Sequence, residues 1–253
     1  MQHREERGKE VSNAKVEESA KAAADIFQAA DPVVVRSMFE LIGLLLKEGG
    51  PVSAEKVASR LQLSHDEAAS ILEELRVRGA EFDEEGNFVG MGLTLNPTPH
   101  RYETNGRKFY TWCADDAIIF PAMVGHSAVI ESPDPISGAY IRLTVTPEGV
   151  QRVEPATAVV SRRFMGGTFE NVRGTVCNYG HLFASPETAS EYAARHTGAG
   201  LEVSTADEAF RIGQLMLEQE PLNAEVRIRP VAESGRRSAF SRPDLSCEPR
   251  EFL

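Results

Sequence analysis

The chain has 253 residues, of which 42% are hydrophobic and 26% charged, as is typical of a globular protein with a substantial core. Its formal net charge of −11 excludes a dominant phosphate-binding or anionic-membrane role, because such roles need an excess of lysine and arginine. The charged start and the lack of any long apolar run predict a cytoplasmic chain without a signal peptide or membrane span, whose three cysteines are reduced.

The first part of the chain is predicted to be mainly helical. Residues 1–30 are polar and rich in Ala, Glu and Lys, and we expect a partly disordered extension in which nothing demands burial. Residues 31–95 contain three helix patterns, the last of which starts at a capping box formed by Ser64 and Glu67. A hairpin that turns at Glu85-Gly86-Asn87 follows. Three helices and a hairpin are typical of a winged-helix module.

The winged-helix pattern raises the question of DNA binding, in which the third helix would enter the major groove. That helix carries four acidic side chains, which oppose the attraction to phosphate that supplies most non-specific affinity: Asp66, Glu67, Glu73 and Glu74. We therefore expect a structural module with no nucleic-acid partner.

The rest of the chain is predicted to be richer in strands. Residues 96–219 contain a strand at "KFYTW", a short helix in "CADDAIIFPAMVG" ended by Pro121, further strands, and two late helices. The stretch "GTVCNYGHLFAS" is predicted to be a strand with Cys177 inside it. Residues 220–253 form a polar tail. The predicted class is α+β: an N-terminal winged-helix-like three-helix module, then a mixed, mainly antiparallel β-sheet domain with flanking helices.

The chemistry depends on two cysteines and one carboxyl group. Cys113 and Asp116 are three residues apart, which on a helix places both side chains on one face. Cys177 follows 64 residues later, and spacing alone does not show that it meets Cys113. Three interpretations remain open from the residues: a zinc site of both cysteines with His181, a redox disulfide between them, or Cys113 as a nucleophile with His181 or His126.

Other polar residues are interpreted as structural. His126 and His181 have no visible partner in the sequence, and Arg162-Arg163 is interpreted as a solvated pair rather than an anion clamp. Cys247 lies in the polar tail and is expected to have no role in the site.

Two stretches resemble the active-site segments of the organomercurial lyases (alkylmercury lyases): "FYTWCADDAIIFPAMVG" and "VRGTVCNYGHLFAS". Further similar stretches occur in the family's order over about residues 31–218. The resemblance implies that Cys113 and Cys177 bind mercury as thiolates, and that Asp116 beside them contacts the mercury and acts as general acid. It also implies an organomercurial substrate and, as products, a hydrocarbon and Hg(II) held at first by the site. The Hg(II) would pass to cytosolic thiols or a mercuric reductase, and no organic cofactor is needed.

The residue types fit this chemistry. Mercury(II) is a soft cation that thiolates suit best, and a carboxylic acid can protonate the carbon that leaves it. One departure concerns Asp115, which stands where the family's pattern has an apolar residue. The sequence therefore leaves open which of the two carboxyl groups, Asp115 or Asp116, points into the site. The alternative function is a mercury-binding or mercury-responsive winged-helix regulator without turnover, which would need the thiols but not Asp116.

Overall fold

The structure is a computed structural model that describes residues 2–28, 30–219 and 222, with side chains from residue 13 onward. Apart from Leu222, the predicted tail of residues 220–253, with Cys247, lies outside the described residues. The helices are α1 (Gln2–Gln28), α2 (Pro32–Glu48), α3 (Ala54–Leu61), α4 (His65–Val77), α5 (Ala114–Val124), α6 (Val172–Thr175), α7 (Pro186–Arg195) and α8 (Ala206–Leu217). None of the helices in this part of the chain combines the length and apolar character that a bilayer span requires.

Short strands form two sheets. The strands are β1 (Glu81–Phe82), β2 (Phe88–Met91), β3 (Leu93–Thr94), β4 (His100–Thr104), β5 (Arg107–Thr111), β6 (Ala128–Pro133), β7 (Tyr140–Thr146), β8 (Gly149–Glu154), β9 (Val159–Arg162), β10 (Leu182–Phe183) and β11 (Glu202–Thr205). The larger sheet has the order β1-β2-β3-β5-β4-β6-β7-β8, and the smaller has the order β10-β9-β11. All pairings between the described strands are antiparallel. Helices with antiparallel sheets confirm the α+β class.

The capping box and the hairpin that were predicted for the N-terminal part are confirmed. Asp31 accepts a hydrogen bond from the Val33 backbone N–H, which starts α2. The Ser64 hydroxyl accepts the Glu67 N–H, and the Glu67 carboxylate accepts the Ser64 N–H, so the capping box that starts α4 is complete. Strands β1 and β2 pair antiparallel across the predicted turn.

Helix α1 contradicts the expectation of an extension in which nothing is buried. Its Ala20, Ala23 and Ala24 are at most 1% exposed, and the Ser19 hydroxyl donates to the Glu202 carboxylate on β11. Small side chains on one face let a helix pack closely on its neighbours, and α1 packs on α8 in this way. The sequence of α1 looked too polar for burial because its buried stripe is built mostly from alanine.

Two other predicted elements end or fold differently. Helix α5 does not end at Pro121 but continues to Val124, where left-handed Gly125 donates its N–H to the Pro121 carbonyl at 3.0 Å. Proline removes one N–H from a helix, and the burial of most α5 side chains outweighs that loss. The predicted strand around Cys177 is α6 and a 3₁₀ turn at Cys177–Tyr179, with only β10 extended.

Candidate active site

The start of α5 positions the first cysteine and the carboxyl group together. Cys113 is the N-cap residue of α5, and its Sγ accepts the backbone N–H of Asp116 at 3.4 Å. Sulfur takes the place that a serine or aspartate oxygen usually fills at a helix N-terminus. Cys113 is 2% exposed, and Asp116 lies one turn along the same helix face.

The second cysteine reaches the same place through a tight turn that is tied to its surroundings. The Gly180 carbonyl accepts the Ala114 N–H at 3.0 Å, which joins the turn to the start of α5. The Ser161 hydroxyl on β9 donates to the Tyr179 carbonyl at 2.7 Å. These bonds bring the Cys177 thiol to 3.8 Å from Asp116 Oδ2, to which it donates.

Gly180 is in contact with the first cysteine. A Cβ atom added at this glycine would lie 2.8 Å from the Cys113 Cβ, closer than real side-chain contacts allow. Any side chain at position 180 would therefore displace Cys113 or open the turn that carries Cys177.

Three side chains in the described part of the chain form a potential ligand group. One atom each from Cys113, Asp116 and Cys177 lie within 4.8 Å of one another. His181 is not in this group: its ring stacks on His100, with centroids 6.0 Å apart. The geometry therefore does not favour zinc binding with His181. Both cysteines are free thiols.

A mainly apolar cavity of about 100 Å³ opens beside the three side chains. Five helices contribute to its walls, represented by Ile26 of α1, Phe39 of α2, Met123 of α5, Val172 of α6 and Ile212 of α8. The sequence did not predict the contribution of α1. The cavity suits an apolar group lying next to the two sulfur atoms.

Burial controls the protonation of the site. Burial raises the pKa of Asp116 to about 7. The hydrogen bond with Cys113 lowers this pKa, and the nearby Asp115 raises it, but the effect of burial is the largest. The contact with Cys177, followed by burial, raises the pKa of Cys113 well above its usual value. Cys113 lowers the pKa of Cys177 by hydrogen bonding, but burial and Asp116 outweigh it, so the pKa of Cys177 is also raised. The thiols are thus neutral near pH 7, and Asp116 is poised to hold a proton.

The interpretation of Arg162-Arg163 as a solvated pair is wrong for Arg162. This side chain is 1% exposed, and its Nε donates to Asp115 Oδ1 at 3.0 Å. Burial raises the pKa of Asp115, and Arg162 opposes that rise. Arg163 instead lies over the Tyr179 ring, 4.9 Å from its centroid. No spacing signal connects positions 115 and 162, and only the burial of every residue in β9 marks Arg162 as unusual.

Comparison with known proteins decides the family. The alkylmercury lyase family model matches residues 93–218. An alkylmercury lyase of Pseudomonas putida is 38% identical over 198 residues, which cover 78% of this chain and 91% of that protein. The chain belongs to the alkylmercury lyase family. A second alkylmercury lyase, from Staphylococcus epidermidis, is 38% identical over 188 residues, which cover 74% of this chain and 85% of that one.

A solved structure shares the fold of this alkylmercury lyase family member. The mercury-bound form of MerB2 superposes with a TM-score of 0.65 at 18% identity, covering 80% of this chain and 97% of that one. The family assignment confirms the resemblance drawn from the two cysteine segments. The protein is an enzyme of the class that cleaves carbon–mercury bonds, and the regulator without turnover is not favoured.

Proposed function

We propose that this enzyme breaks the carbon–mercury bond of organomercurials by protonolysis, with Cys113 and Cys177 as mercury ligands and Asp116 as general acid. The observation that supports this assignment is the approach of two sulfur atoms and one carboxyl oxygen to within 4.8 Å beside an apolar cavity. Soft sulfur ligands suit mercury(II), and the cavity offers room for an apolar organic group.

The reaction balances without any change in the oxidation state of mercury. The organomercury cation exchanges its original ligand for Cys113, whose thiol proton leaves with that ligand. Mercury then binds Cys177, and the Cys177 proton passes to Asp116, toward which this thiol already donates. Asp116 delivers the proton to carbon, and the electron pair of the carbon–mercury bond becomes the carbon–hydrogen bond. The products are a hydrocarbon and Hg(II) held by two thiolates.

The apolar surroundings of Asp116 make this proton transfer feasible. Moving a proton from an ordinary cysteine to an ordinary aspartate costs about 4.6 pKa units, or about 6 kcal/mol. Raising the pKa of Asp116 from 3.8 to about 7 removes roughly 4 kcal/mol of that cost, at 1.36 kcal/mol per unit, and the raised pKa of Cys177 adds part of it back. Binding of sulfur to mercury drives the remaining deprotonation. Asp115 does not share this role, because its carboxylate is bonded to Arg162.

Release of benzene from phenylmercury in excess small thiol tests the proposal. The parent protein should release many equivalents of benzene, whereas a binding protein would release one at most. Cys113→Ser and Cys177→Ser should each abolish turnover, and Cys247→Ser is the matched control that should keep it. Full turnover in either of the first two variants would refute the assigned roles. A gel shift on DNA at moderate salt tests the regulator separately.

We further propose that residues 31–95 are a winged-helix-like module and residues 96–219 the catalytic domain. In support, α2, α3 and α4 precede β1 and β2, and Val52 forms a bridge with Phe88 as a third short strand would. The acidic residues of α4 are exposed, which favours a structural role over DNA binding. The burial of α1 attaches residues 13–28 to the catalytic body, and the boundary at residue 220 stays a prediction.

We propose cytosolic thiols or a mercuric reductase as acceptors of the Hg(II) product, no organic cofactor, and a cytoplasmic location. Two neutral thiols and one acid supply every group that the protonolysis needs. A reducing compartment keeps a close cysteine pair available for mercury.

A further inference from the structure

Two neighbouring carboxyl groups face the same cavity at the start of α5. Asp115 and Asp116 both line it, and the Asp115 side chain is only 16% exposed. A second free carboxylate beside the thiols would compete with Asp116 for the space next to the sulfur atoms. It could also coordinate the mercury that the thiolates hold. The site therefore needs a means of keeping the two carboxyl groups in different places.

The structure assigns Arg162 as a positioning residue that holds the Asp115 carboxylate away from bound mercury, so that Asp116 alone faces the two thiols. This inference rests on the proposed function and concerns a residue that does not touch the reacting atoms.

The Arg162 guanidinium group that holds Asp115 is fully enclosed. Arg162 Nε donates to Asp115 Oδ1 at 3.0 Å, while its Nη1 donates to the Ser204 hydroxyl at 2.7 Å. Ser204 lies on β11, which pairs with β9, so two hydrogen-bonded strands hold the guanidinium group. A planar guanidinium fixed at two of its nitrogens leaves its carboxylate partner little freedom.

The other oxygen of Asp115 is confined by the turn that carries Cys177. A Cβ built on Gly180 would lie 3.6 Å from Asp115 Oδ2, so this oxygen packs beside the glycine. Asp116, in contrast, has its Oδ2 at 3.8 Å from the Cys177 sulfur. The two carboxyl groups thus have separate partners, a cation for one and a thiol for the other.

Loss of Arg162 would leave Asp115 buried without a cationic partner. A buried carboxylate without a partner takes up a proton unless a cation lies within its reach. In the mercury-bound enzyme that cation is Hg(II) on Cys113, two residues away. Asp115 would then add an oxygen ligand to mercury and obstruct proton delivery by Asp116.

The test compares the full chain with Arg162→Met and with the double variant Arg162→Met/Asp115→Leu. Phenylmercury turnover gives kcat and KM, and X-ray absorption at the mercury edge gives the ligands of bound Hg(II). Arg162→Met should lower kcat about tenfold or more, with a smaller change in KM, and add an oxygen ligand to mercury. The double variant should return kcat to within about threefold of the parent and restore the parent's mercury ligands, because it has no carboxylate to hold. Arg152→Met, at an exposed arginine on β8, is the matched control and should change nothing.

Three outcomes would overturn the inference. The first is a folded Arg162→Met protein with the parent's kcat and mercury ligands. The second is a double variant that folds but stays as slow as the single one. The third is a double variant that does not fold, since a pair that only positions Asp115 can be replaced by two apolar side chains. A parent that releases no benzene would refute the proposed function instead, and mercury ligation in the variants would still decide this inference.

Discussion

Replacing Asp116 by Asn should make the protein more stable above neutral pH while it loses activity. Asparagine has nearly the same shape and carries no charge. Because folding raises the pKa of Asp116 from 3.8 to about 7, the folded state keeps a proton that the unfolded state has released. The contribution of Asp116 to the free energy of unfolding therefore falls as pH rises between about 4 and 7.

The magnitude follows from the size of that rise. A difference of about 3 units at 1.36 kcal/mol per unit gives about 4 kcal/mol at pH 8. Asp116 is only partly buried and meets the open cavity, so solvent screening reduces the figure to about 2–4 kcal/mol. Asp116→Asn lacks this destabilisation, so its advantage over the parent should grow from near zero at pH 4 to that value at pH 8.

Urea unfolding of both proteins at several pH values, with benzene release at pH 7, measures both effects. Apart from the neighbouring Asp115, the other groups titrate alike in the two proteins, so the difference in unfolding free energy reports mainly on position 116. Benzene release by Asp116→Asn should fall at least about 100-fold, because proton delivery to carbon is lost. Unfolding curves that differ by the same amount at pH 4 and pH 8 would refute the argument about burial.

Two further substitutions test how the site is built. Gly180→Ala places a Cβ 2.8 Å from the Cys113 Cβ, so kcat should fall by about 10- to 100-fold. Gly50→Ala is the control: a Cβ there meets nothing within 4 Å, and kcat should not change. Ala23→Leu lengthens a buried α1 side chain that lines the cavity, so kcat/KM for phenylmercury should fall by about tenfold and more than for methylmercury. Ala14→Leu, on the exposed face of α1, is its control, and equal losses for both substrates would contradict an α1 wall around the organic group.

The features that local sequence predicts here are those in which both partners lie within one helical turn. The capping box of Ser64 and Glu67 is a three-residue pattern, and the structure confirms it. The spacing of Cys113 and Asp116 is of the same kind, since three residues on α5 bring a thiol and a carboxyl group to one face. Chemistry that depends on one turn of helix can therefore be read before the fold is known.

The remaining parts of the site depend on contacts between distant segments. Cys177 was expected in a strand, yet the hydrogen bonds of Gly180 and Ser161 fold that segment into a turn. Arg162 looked like a surface residue because arginine is rarely buried, and its partner Asp115 is 47 residues away. A buried charge is stable only where the fold supplies its partner. A sequence pattern can thus locate Cys113 and Asp116 within one helix. Cys177 and Arg162 join the site only through contacts between segments that are distant in the chain, the first on a turn and the second on β9.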